Sequence, residues 1–235
     1  MMISGLVKQS LIDYPGEIAA VLFTKGCSFR CPFCHNPHLL NKTGDGLIDT
    51  EQVMEFLKER IGFLDGVVIT GGEPTLQKDL LDLIGQIKSI GYKVKLDTNG
   101  SSSEMIKQLL DRRLVDCVAM DIKAPLEFNK YSRVCARISR EEFMQVRNTL
   151  MLLLRQSEIE VIFRTTVVPV LHSKQDIVEI SKSIAGSSMY YIQQFNPEKV
   201  LDPSYRNVVP YTPAQLEEMA ESCRQFVREV KVINL

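Results

Sequence analysis

The feature that most limits the fold is an alternation, along most of the chain, of short β-branched runs with longer amphipathic stretches. Such alternation is typical of a parallel sheet whose strands are joined by helices. The predicted strands lie near residues 18–24, 66–70, 93–98, 117–121, 160–169 and 190–195. The predicted helices, with apolar residues at helical spacing, lie near residues 50–61, 78–90, 103–111, 140–156 and 173–184. We therefore predict an α/β fold.

Six strand–helix units predict a partial (β/α)6 TIM-type barrel of parallel strands. A closed eight-fold barrel usually needs about 250 residues, and this chain has 235. We expect a single domain over residues 1–235, with a core over about 18–196 and a C-terminal loop and helix over 197–235. The predicted loop, residues 196–211, is long enough that a functional role is typical.

The last predicted helix is the clearest in the sequence. Thr212 is its N-cap, Pro213 stands in its first turn, and Gln215 is the capping-box partner of the threonine. Apolar residues then recur at helical spacing as far as Val230, so the helix is predicted to continue to that point.

Composition excludes several classes of function. The formal net charge is −1, which does not favour binding to nucleic acid or to an anionic membrane. No apolar run approaches the ~18 residues that cross a bilayer, and the first residues lack the apolar segment of a signal peptide. We expect a cytoplasmic protein whose six cysteines stay reduced.

Three of these cysteines, Cys27, Cys31 and Cys34, fall within eight residues, directly after the first predicted strand. Their thiolates can bind one iron–sulfur cluster from a single loop. Full ligation of a 4Fe-4S cluster takes four cysteines, so three leave one iron open to a small molecule, much as catalytic zinc sites keep an open position. The alternatives are three unrelated buried cysteines, or a zinc site with His35 as fourth ligand. His35 adjoins Cys34 and is poorly placed to complete a tetrahedron.

The remaining cysteines, Cys117, Cys135 and Cys223, are scattered singly and lack cluster spacing. Cys223 lies on the apolar face of the last predicted helix, where a buried thiol acts as a small hydrophobic side chain. We expect substitution of any of the three to leave a cluster intact.

Polar motifs follow the next strands, at the end where parallel α/β enzymes place their chemistry. Gly71, Gly72 and Glu73 follow the second predicted strand. Glycines allow backbone to approach a ligand closely, and a glutamate can pair with an ammonium. A simple turn is the alternative.

Asp97, Thr98 and Asn99 end the third predicted strand, and Asp121 and Lys123 end the fourth. A helix N-cap would account for Asn99 and would leave Asp97 unexplained. A strand-end salt bridge is the alternative for Asp121 and Lys123, and it is worth ~0–1 kcal/mol if exposed.

Arg164 lies within an otherwise apolar fifth strand, which is costly unless the guanidinium meets an anion. The sixth strand ends in the polar pair Gln193 and Gln194. Phe33 stands between the last two clustered cysteines, and either ordinary loop packing or stacking on a ligand would explain it.

The CxxxCxxC spacing after a first strand resembles the signature of the radical S-adenosylmethionine (SAM) superfamily. The stretch IDYPGEIAAVLFTKGCSFRCPFCHNPHLL looks like the activating enzymes of glycyl radical enzymes. It is most similar to the branch of anaerobic ribonucleoside-triphosphate reductase activating proteins. The resemblance covers residues 5–196 and weakens in the C-terminal tail.

This resemblance implies the radical SAM fold and one 4Fe-4S cluster on Cys27, Cys31 and Cys34. It implies that S-adenosylmethionine is cleaved reductively to a 5′-deoxyadenosyl radical. It also implies roles for residues that match the family motifs. The implied cofactor contacts are Phe33, Gly71, Gly72, Glu73, Asp97, Thr98, Asn99, Lys123, Arg164 and Gln194.

Within this set, Glu73 would bind the cofactor's amino group and Lys123 its carboxylate. Phe33 would lie near the adenine. For Gln194 the resemblance implies only a location, at the end of the sixth strand, where related enzymes place a polar residue that contacts the adenosine. Asp97 and Asp121 match a monovalent cation site beside the cofactor.

The implied partners are a glycyl radical enzyme as protein substrate, such as anaerobic ribonucleotide reductase, and flavodoxin or ferredoxin as electron donor. Residues 36–50 contain no cysteine, so one cluster is expected. Two alternatives stay open. One is a radical enzyme that acts on a small molecule, similar to 7-carboxy-7-deazaguanine synthase, and the other is a non-enzymatic metal-binding module.

Overall fold

The computed structural model of the chain describes residues 1–41 and 46–234, and these contain eight strands and seven α-helices. The strands are β1 Ile3–Ser10, β2 Ala19–Thr24, β3 Gly66–Gly71, β4 Lys93–Thr98, β5 Cys117–Asp121, β6 Glu160–Val167, β7 Met189–Gln194 and β8 Glu229–Ile233. The helices are α1 Thr50–Glu59, α2 Leu80–Ser89, α3 Ser103–Asp111, α4 Phe128–Cys135, α5 Arg140–Leu154, α6 Lys174–Ser183 and α7 Pro213–Cys223.

All eight strands form one sheet in chain order. Each pair from β2 to β8 is parallel, whereas β1 runs antiparallel to β2. In the described part of the chain β8 does not pair with β1, so the sheet is an open partial barrel. The predicted α/β architecture and its six parallel strands, β2–β7, are therefore confirmed.

Two strands, β1 and β8, and one helix, α4, were not predicted from the sequence. β1 is an edge strand that is half exposed, so its apolar residues show no clean alternation. β8 follows directly on α7, and Val230 happens to continue the helical spacing. The helix in fact ends at Cys223, and Val230 belongs to β8. The predicted extension of the last helix is wrong for this reason.

The two faces of the sheet carry different clusters. Along β2, Ala20 and Leu22 face the helices and join the large outer core. Ala19 and Val21 face the interior of the barrel, where small side chains and Tyr14 fill one end. Successive residues of each strand point to opposite faces, so every strand contributes side chains to both clusters. The carboxyl ends of the strands are left for a site.

The predicted loop 196–211 contains a short 3-10 helix, Pro203–Asn207. The amide of Asp202 donates to the carbonyl of Pro32 at 2.9 Å, which attaches this loop to the segment that holds the clustered cysteines. Within the described ranges, no helix combines the length and apolar character needed to cross a membrane.

Candidate cofactor-binding site

A cavity of about 280 Å³ lies at the carboxyl ends of the parallel strands. The loop after β2 and the ends of β3 to β7 form its walls. Every residue of the predicted site except Glu73 lines it. These residues are Cys27, Cys31, Phe33, Cys34, Gly71, Gly72, Asp97, Thr98, Asn99, Asp121, Lys123, Arg164 and Gln194.

The cysteine loop is held mainly by its own backbone groups. The amide of Gly26 donates to the carbonyl of Leu39 at 2.7 Å, and the amide of Cys34 donates to that of Cys31 at 3.0 Å. The guanidinium of Arg30 donates from Nη1 to the carbonyls of Cys27 and Phe29, at 2.6 and 2.8 Å. Because one planar guanidinium binds two carbonyls of the loop, the loop keeps its shape, and the three cysteines form no disulfide.

Two metal hypotheses concern these three thiols. Among residues 1–41 and 46–234, no three His, Cys, Asp or Glu side chains lie close enough together to hold a single metal ion. Zinc would require its ligands to converge on one point, at about 2.3 Å from each sulfur. Three thiols that line one cavity suit a multinuclear cluster, in which each sulfur binds a different iron.

His35, the proposed zinc ligand, lies edge-on to Phe195 with ring centroids 6.5 Å apart. Burial, together with the nearby charges of Lys123 and Lys199, lowers its pKa. Burial and the charge of Glu73 raise the pKa of the Cys27 thiol to about 12. Iron binding would therefore have to displace a proton from Cys27.

The two glycines after β3 allow close contact between backbones. A Cβ on Gly72 would lie 2.2 Å from the carbonyl oxygen of Gly26, and one on Gly71 would lie 2.3 Å from the amide nitrogen of Thr24. The amide of Gly72 donates to the carbonyl of Thr24 at 2.9 Å, and the amide of Glu73 donates to the carbonyl of Gly26 at 2.7 Å. The glycines thus bring the β3 loop onto the backbone of the cysteine loop.

Glu73 is fully buried, and protein donors surround its carboxylate. Oε1 accepts from the Thr75 amide (3.1 Å), the Thr75 hydroxyl (2.6 Å) and the Thr98 hydroxyl (2.7 Å), and Oε2 accepts from the Asn99 amide at 2.7 Å. Burial raises its pKa, and these hydrogen bonds oppose the rise. The carboxylate therefore ties the loop after β3 to the loop after β4, and a contact with the cofactor stays a prediction.

The loop after β4 contacts the cysteines directly. Asn99 Nδ2 donates to the sulfur of Cys27 at 3.6 Å, and Asn99 Oδ1 accepts from the Ser101 amide at 2.9 Å. The hydroxyl of Thr98 also accepts from the Gly100 amide at 3.0 Å. Asn99 is therefore both a turn residue and a donor to one thiol of the site.

A row of alternating charges crosses the wall of the cavity. Lys95 contacts Asp97, Arg164 Nη1 donates to Asp97 Oδ2 at 3.1 Å, and Arg164 Nε donates to Asp121 Oδ1 at 2.8 Å. Lys123 donates to Asp121 Oδ2 at 3.0 Å. Lys95 is not among the residues that line the cavity, so the two cations and two carboxylates on the wall itself balance one another.

Arg164 was predicted to meet an anion, and its anionic partners in the structure are Asp97 and Asp121. Burial alone would raise the pKa of Asp121, and the charges of Arg164 and Lys123 outweigh it and lower the pKa to about 2. Arg164 already places a positive charge between the two carboxylates. The monovalent cation on Asp97 and Asp121 stays a prediction, and these two residues do not need it to balance their charge.

Lys95 and His172 were missed by sequence reasoning. Lys95 lies two residues before Asp97 on the same strand face, a spacing that could have indicated the pair. His172 carried no sequence signal. Its Nδ1 accepts from the Val168 amide at 3.0 Å, so Nε2 carries the proton and donates to the carbonyl of Lys123 at 2.7 Å. Burial lowers the pKa of His172, which favours this neutral form.

The far side of the cavity contains Phe33 and Gln194. Phe33 packs edge-on against His172 with ring centroids 6.5 Å apart. Gln194 Nε2 donates to the carbonyl of Tyr211 at 2.9 Å, so the amide ties the end of β7 to the loop 196–211. The structure places both residues at the cavity, and their contacts with a cofactor stay predictions.

The single cysteines differ in their surroundings. Cys117 lies in the barrel interior, and Cys223 packs on α7 against the outer core. Cys135 ends α4, and its carbonyl accepts from the Arg30 amide at 2.9 Å. Burial raises the pKa of the Cys135 thiol.

Comparison with known proteins shows the family of this chain. Residues 21–184 match the sequence profile of the radical SAM superfamily. A glycyl-radical enzyme activating enzyme named in Methanocaldococcus jannaschii is 33% identical over 98% of this chain and 95% of its own. The pyruvate formate-lyase-activating enzyme of Clostridium pasteurianum is 28% identical over 77% of this chain and 75% of its own.

Among solved structures, Streptococcus suis SuiB bound to its precursor peptide SuiA has a TM-score of 0.68 to this chain. The likeness covers 91% of this chain and 48% of that chain at 12% identity, and it concerns the fold.

Members of the matched superfamily use a 4Fe-4S cluster and S-adenosylmethionine. The three thiols around one cavity fit the cluster, and the Lys123 ammonium on the cavity wall suits the carboxylate of S-adenosylmethionine. The family match covers more than half of the chain, and the M. jannaschii relative aligns with almost all of it. This chain is therefore an enzyme of the radical SAM superfamily, related to the activating enzymes of glycyl radical enzymes.

Proposed function

We propose that this chain installs a glycyl radical on a partner enzyme, which is its protein substrate. The observation that carries the proposal is the 33% identity to a glycyl-radical enzyme activating enzyme over 98% of the chain. We further propose anaerobic ribonucleotide reductase as the partner, from the motif resemblance, and flavodoxin or ferredoxin as electron donor.

In this proposal the chain's own residues position the cofactor. Cys27, Cys31 and Cys34 would hold the cluster, which together with S-adenosylmethionine would supply the radical chemistry that abstracts hydrogen from the substrate. The ammonium of Lys123 binds the cofactor's carboxylate. Among the described residues, Asp121 takes one of its three N–H donors, which leaves donors directed at the cavity.

Other residues would shape the same cavity. The backbone at Gly71 and Gly72 lies beside the cysteine loop, where it can bind the cofactor's amino group. Phe33 would exclude water near the adenine. The loop 196–211 is attached to the cysteine loop through Asp202 and Pro32, so we propose that the partner's glycine segment enters beside it.

The test is anaerobic incubation of the reconstituted enzyme, reductant and S-adenosylmethionine with the glycyl radical enzyme encoded nearest this gene. Electron paramagnetic resonance should show a glycyl doublet that collapses when the glycine α-position is deuterated. Cys31→Ala should give no doublet. Lys123→Ala should keep about four irons per chain and require more S-adenosylmethionine for the same signal.

Two outcomes would contradict parts of the proposal. A doublet with unchanged S-adenosylmethionine dependence in Lys123→Ala would remove that residue from the cofactor site. No doublet with any candidate partner, together with turnover of a free metabolite, would favour the alternative of a small-molecule enzyme.

A further inference from the structure

A second groove, of about 650 Å³, borders the cysteine loop and is distinct from the cofactor cavity. Ser28 and Arg30 of the cysteine loop line one side of it, and residues 136–139, which join α4 to α5, line the other. Cys27 and Leu40 line both the groove and the cavity. A molecule in the groove would therefore contact a cluster-binding residue without entering the cofactor cavity.

Backbone hydrogen bonds fix the groove to the cysteine loop. The amide of Arg30 donates to the carbonyl of Cys135, the last residue of α4, at 2.9 Å. The guanidinium of Arg30 donates to the carbonyl of Cys27 at 2.6 Å. Ala136 has a φ of 56°, which ends α4 and turns the chain into the segment that lines the groove. The groove is thus a built part of the surroundings of the cluster.

Arginines surround this groove. Arg137 lines it and is exposed, and Arg133 on α4 and Arg140 at the start of α5 are exposed on either side of it in sequence. Among residues 1–41 and 46–234, none of these three side chains forms a salt bridge with a carboxylate. Uncompensated positive charge is therefore concentrated beside the cluster loop, in a chain whose formal net charge is −1.

The acids of the same region do not cancel this charge. Glu142 lines the groove, and its carboxylate accepts from the Ser139 amide at 2.8 Å in the capping box of α5. Glu141 is exposed beside it, and Lys130 is paired with acids of α6. Three exposed arginines and Arg30 thus stand against two glutamates. Between these charges the lining of the groove is apolar, with Leu40, Ala136 and Ile138.

Two kinds of anionic ligand could use such charge. A small anion needs several donors directed at one point, and at the start of α5 the amides of Ser139 and Glu142 are already bonded within the capping box. Arginines spread around an apolar floor suit instead an acidic protein surface with an apolar centre. An acidic electron carrier has this chemistry, and the flavin of a flavodoxin presents an apolar methyl edge.

We propose that a reduced flavodoxin docks on this groove and passes its electron to the cluster from there. One electron leaves the flavin and one enters the cluster, so the carrier is oxidised, the cluster is reduced, and no bond is formed or broken. Cys27 connects the groove to the cluster, while the cofactor cavity stays available for S-adenosylmethionine and substrate. This inference rests on the electron donor named under the proposed function.

The test measures binding and electron delivery separately, with no glycyl radical enzyme present. Fluorescence anisotropy of a labelled flavodoxin gives its Kd for the reconstituted protein. Formation of 5′-deoxyadenosine from S-adenosylmethionine is then compared with reduced flavodoxin and with dithionite as reductant. The proteins are the wild type, Arg137→Glu, Arg137→Lys and Arg155→Glu. Arg155 is a matched control because it is exposed at the opposite end of α5.

In Arg137→Glu we expect the Kd for flavodoxin to rise about tenfold at low salt, since a charge at the interface is reversed. The ratio of the flavodoxin-driven rate to the dithionite-driven rate should fall by a similar factor. Arg137→Lys keeps the charge and should bind within about twofold of the wild type, as should Arg155→Glu. Raising the salt concentration should weaken binding of the wild type more than that of Arg137→Glu.

Equal Kd values for Arg137→Glu and Arg155→Glu would overturn the proposal. So would tight binding of phosphate at the groove without binding of flavodoxin, or a dependence on Arg137 that appears with a ferredoxin and not with flavodoxin. A failed glycyl radical assay leaves these measurements unaffected. Conversely, a glycyl radical formed with dithionite would uphold the proposed activity even if flavodoxin did not bind.

Discussion

Asp121 is flanked by two cations, the guanidinium of Arg164 and the ammonium of Lys123. The register explains the first contact, because Asp121 on β5 lies directly opposite Arg164 on β6. A strand-end salt bridge was the structural alternative for Asp121 and Lys123, and that salt bridge is present. It forms part of a half-buried row of charges on the cavity wall, so it differs from an exposed pair that contributes little to stability.

This pairing predicts a specific dependence of stability on pH. The pKa of Asp121 is lowered to about 2 in the folded state, against 3.8 for an unperturbed group. The carboxylate therefore contributes stability above pH ~4, and this contribution is lost as pH falls toward 2. Between pH 5 and pH 3 the wild type should lose about 1 kcal/mol more of its unfolding free energy than Asp121→Asn does.

Urea unfolding at the two pH values measures this difference. Asp82→Asn is the control, since Asp82 is exposed on α2, and it should follow the wild-type curve. If the unfolding free energies of the wild type and Asp121→Asn fell equally between the two pH values, the carboxylate would not be stabilised by its neighbours.

At the scale of elements, the loops after β2, β3 and β4 depend on one another. The β3 loop is bonded to the cysteine loop through Gly72 and Glu73, and the Glu73 carboxylate continues to Thr98 and Asn99 on the β4 loop. A change in one loop therefore reaches the next. This dependence explains why glycine and a buried acid occur together at the end of β3.

Gly72→Ala tests this coupling. Its Cβ would lie 2.2 Å from the Gly26 carbonyl oxygen, and backbone cannot yield as a flexible side chain does. We expect a loss of roughly 3 kcal/mol in unfolding free energy, together with reduced iron incorporation. Urea unfolding and iron analysis give the two readouts.

Gly85→Ala is the matched control, because Gly85 lies within α2 and an added Cβ meets nothing within 4 Å. It should stabilise the protein by about 1 kcal/mol and leave iron incorporation unchanged. Equal behaviour of the two variants would mean that the close approach at Gly72 does not matter.

At the scale of the whole molecule, the cysteine loop joins distant parts of the chain. Its backbone bonds to Cys135 after α4 and to Asp202 in the loop 196–211. The loop thus connects the beginning of the parallel sheet with segments near its other end. Binding a cluster to this loop should stabilise the fold widely, beyond the loop itself.

Removal of iron provides the measurement. A cofactor held at a hundredfold above its dissociation constant adds about 2.7 kcal/mol, or roughly 5–10 °C in Tm for a chain of this size. Anaerobic chelation of the reconstituted wild type should lower Tm by this amount. Cys34→Ala should melt at the temperature of the chelated wild type with or without iron and sulfide, and a matching rise in that variant would contradict the prediction.

Local pattern was enough to predict the six parallel strands β2–β7, the helices between them except α4, and the cysteine loop. Strand and helix periods are carried by neighbouring residues, so they can be read along the chain. The motifs at the strand ends followed, because parallel strands bring their carboxyl ends to one edge. Gly71, Asp97 and Lys123 are far apart in sequence and line one cavity.

Only the tertiary structure determined which group is the hydrogen-bond partner of each buried polar group. Glu73 accepts from Thr98 and Asn99, His172 donates to the carbonyl of Lys123, and the Arg30 amide donates to the carbonyl of Cys135. These pairs are 25 to 105 residues apart, and their contact depends on how the helices return each strand to the sheet. Val230 shows the same limit at the end of the chain, since its helical spacing is local and its place in β8 is set by pairing with Tyr190.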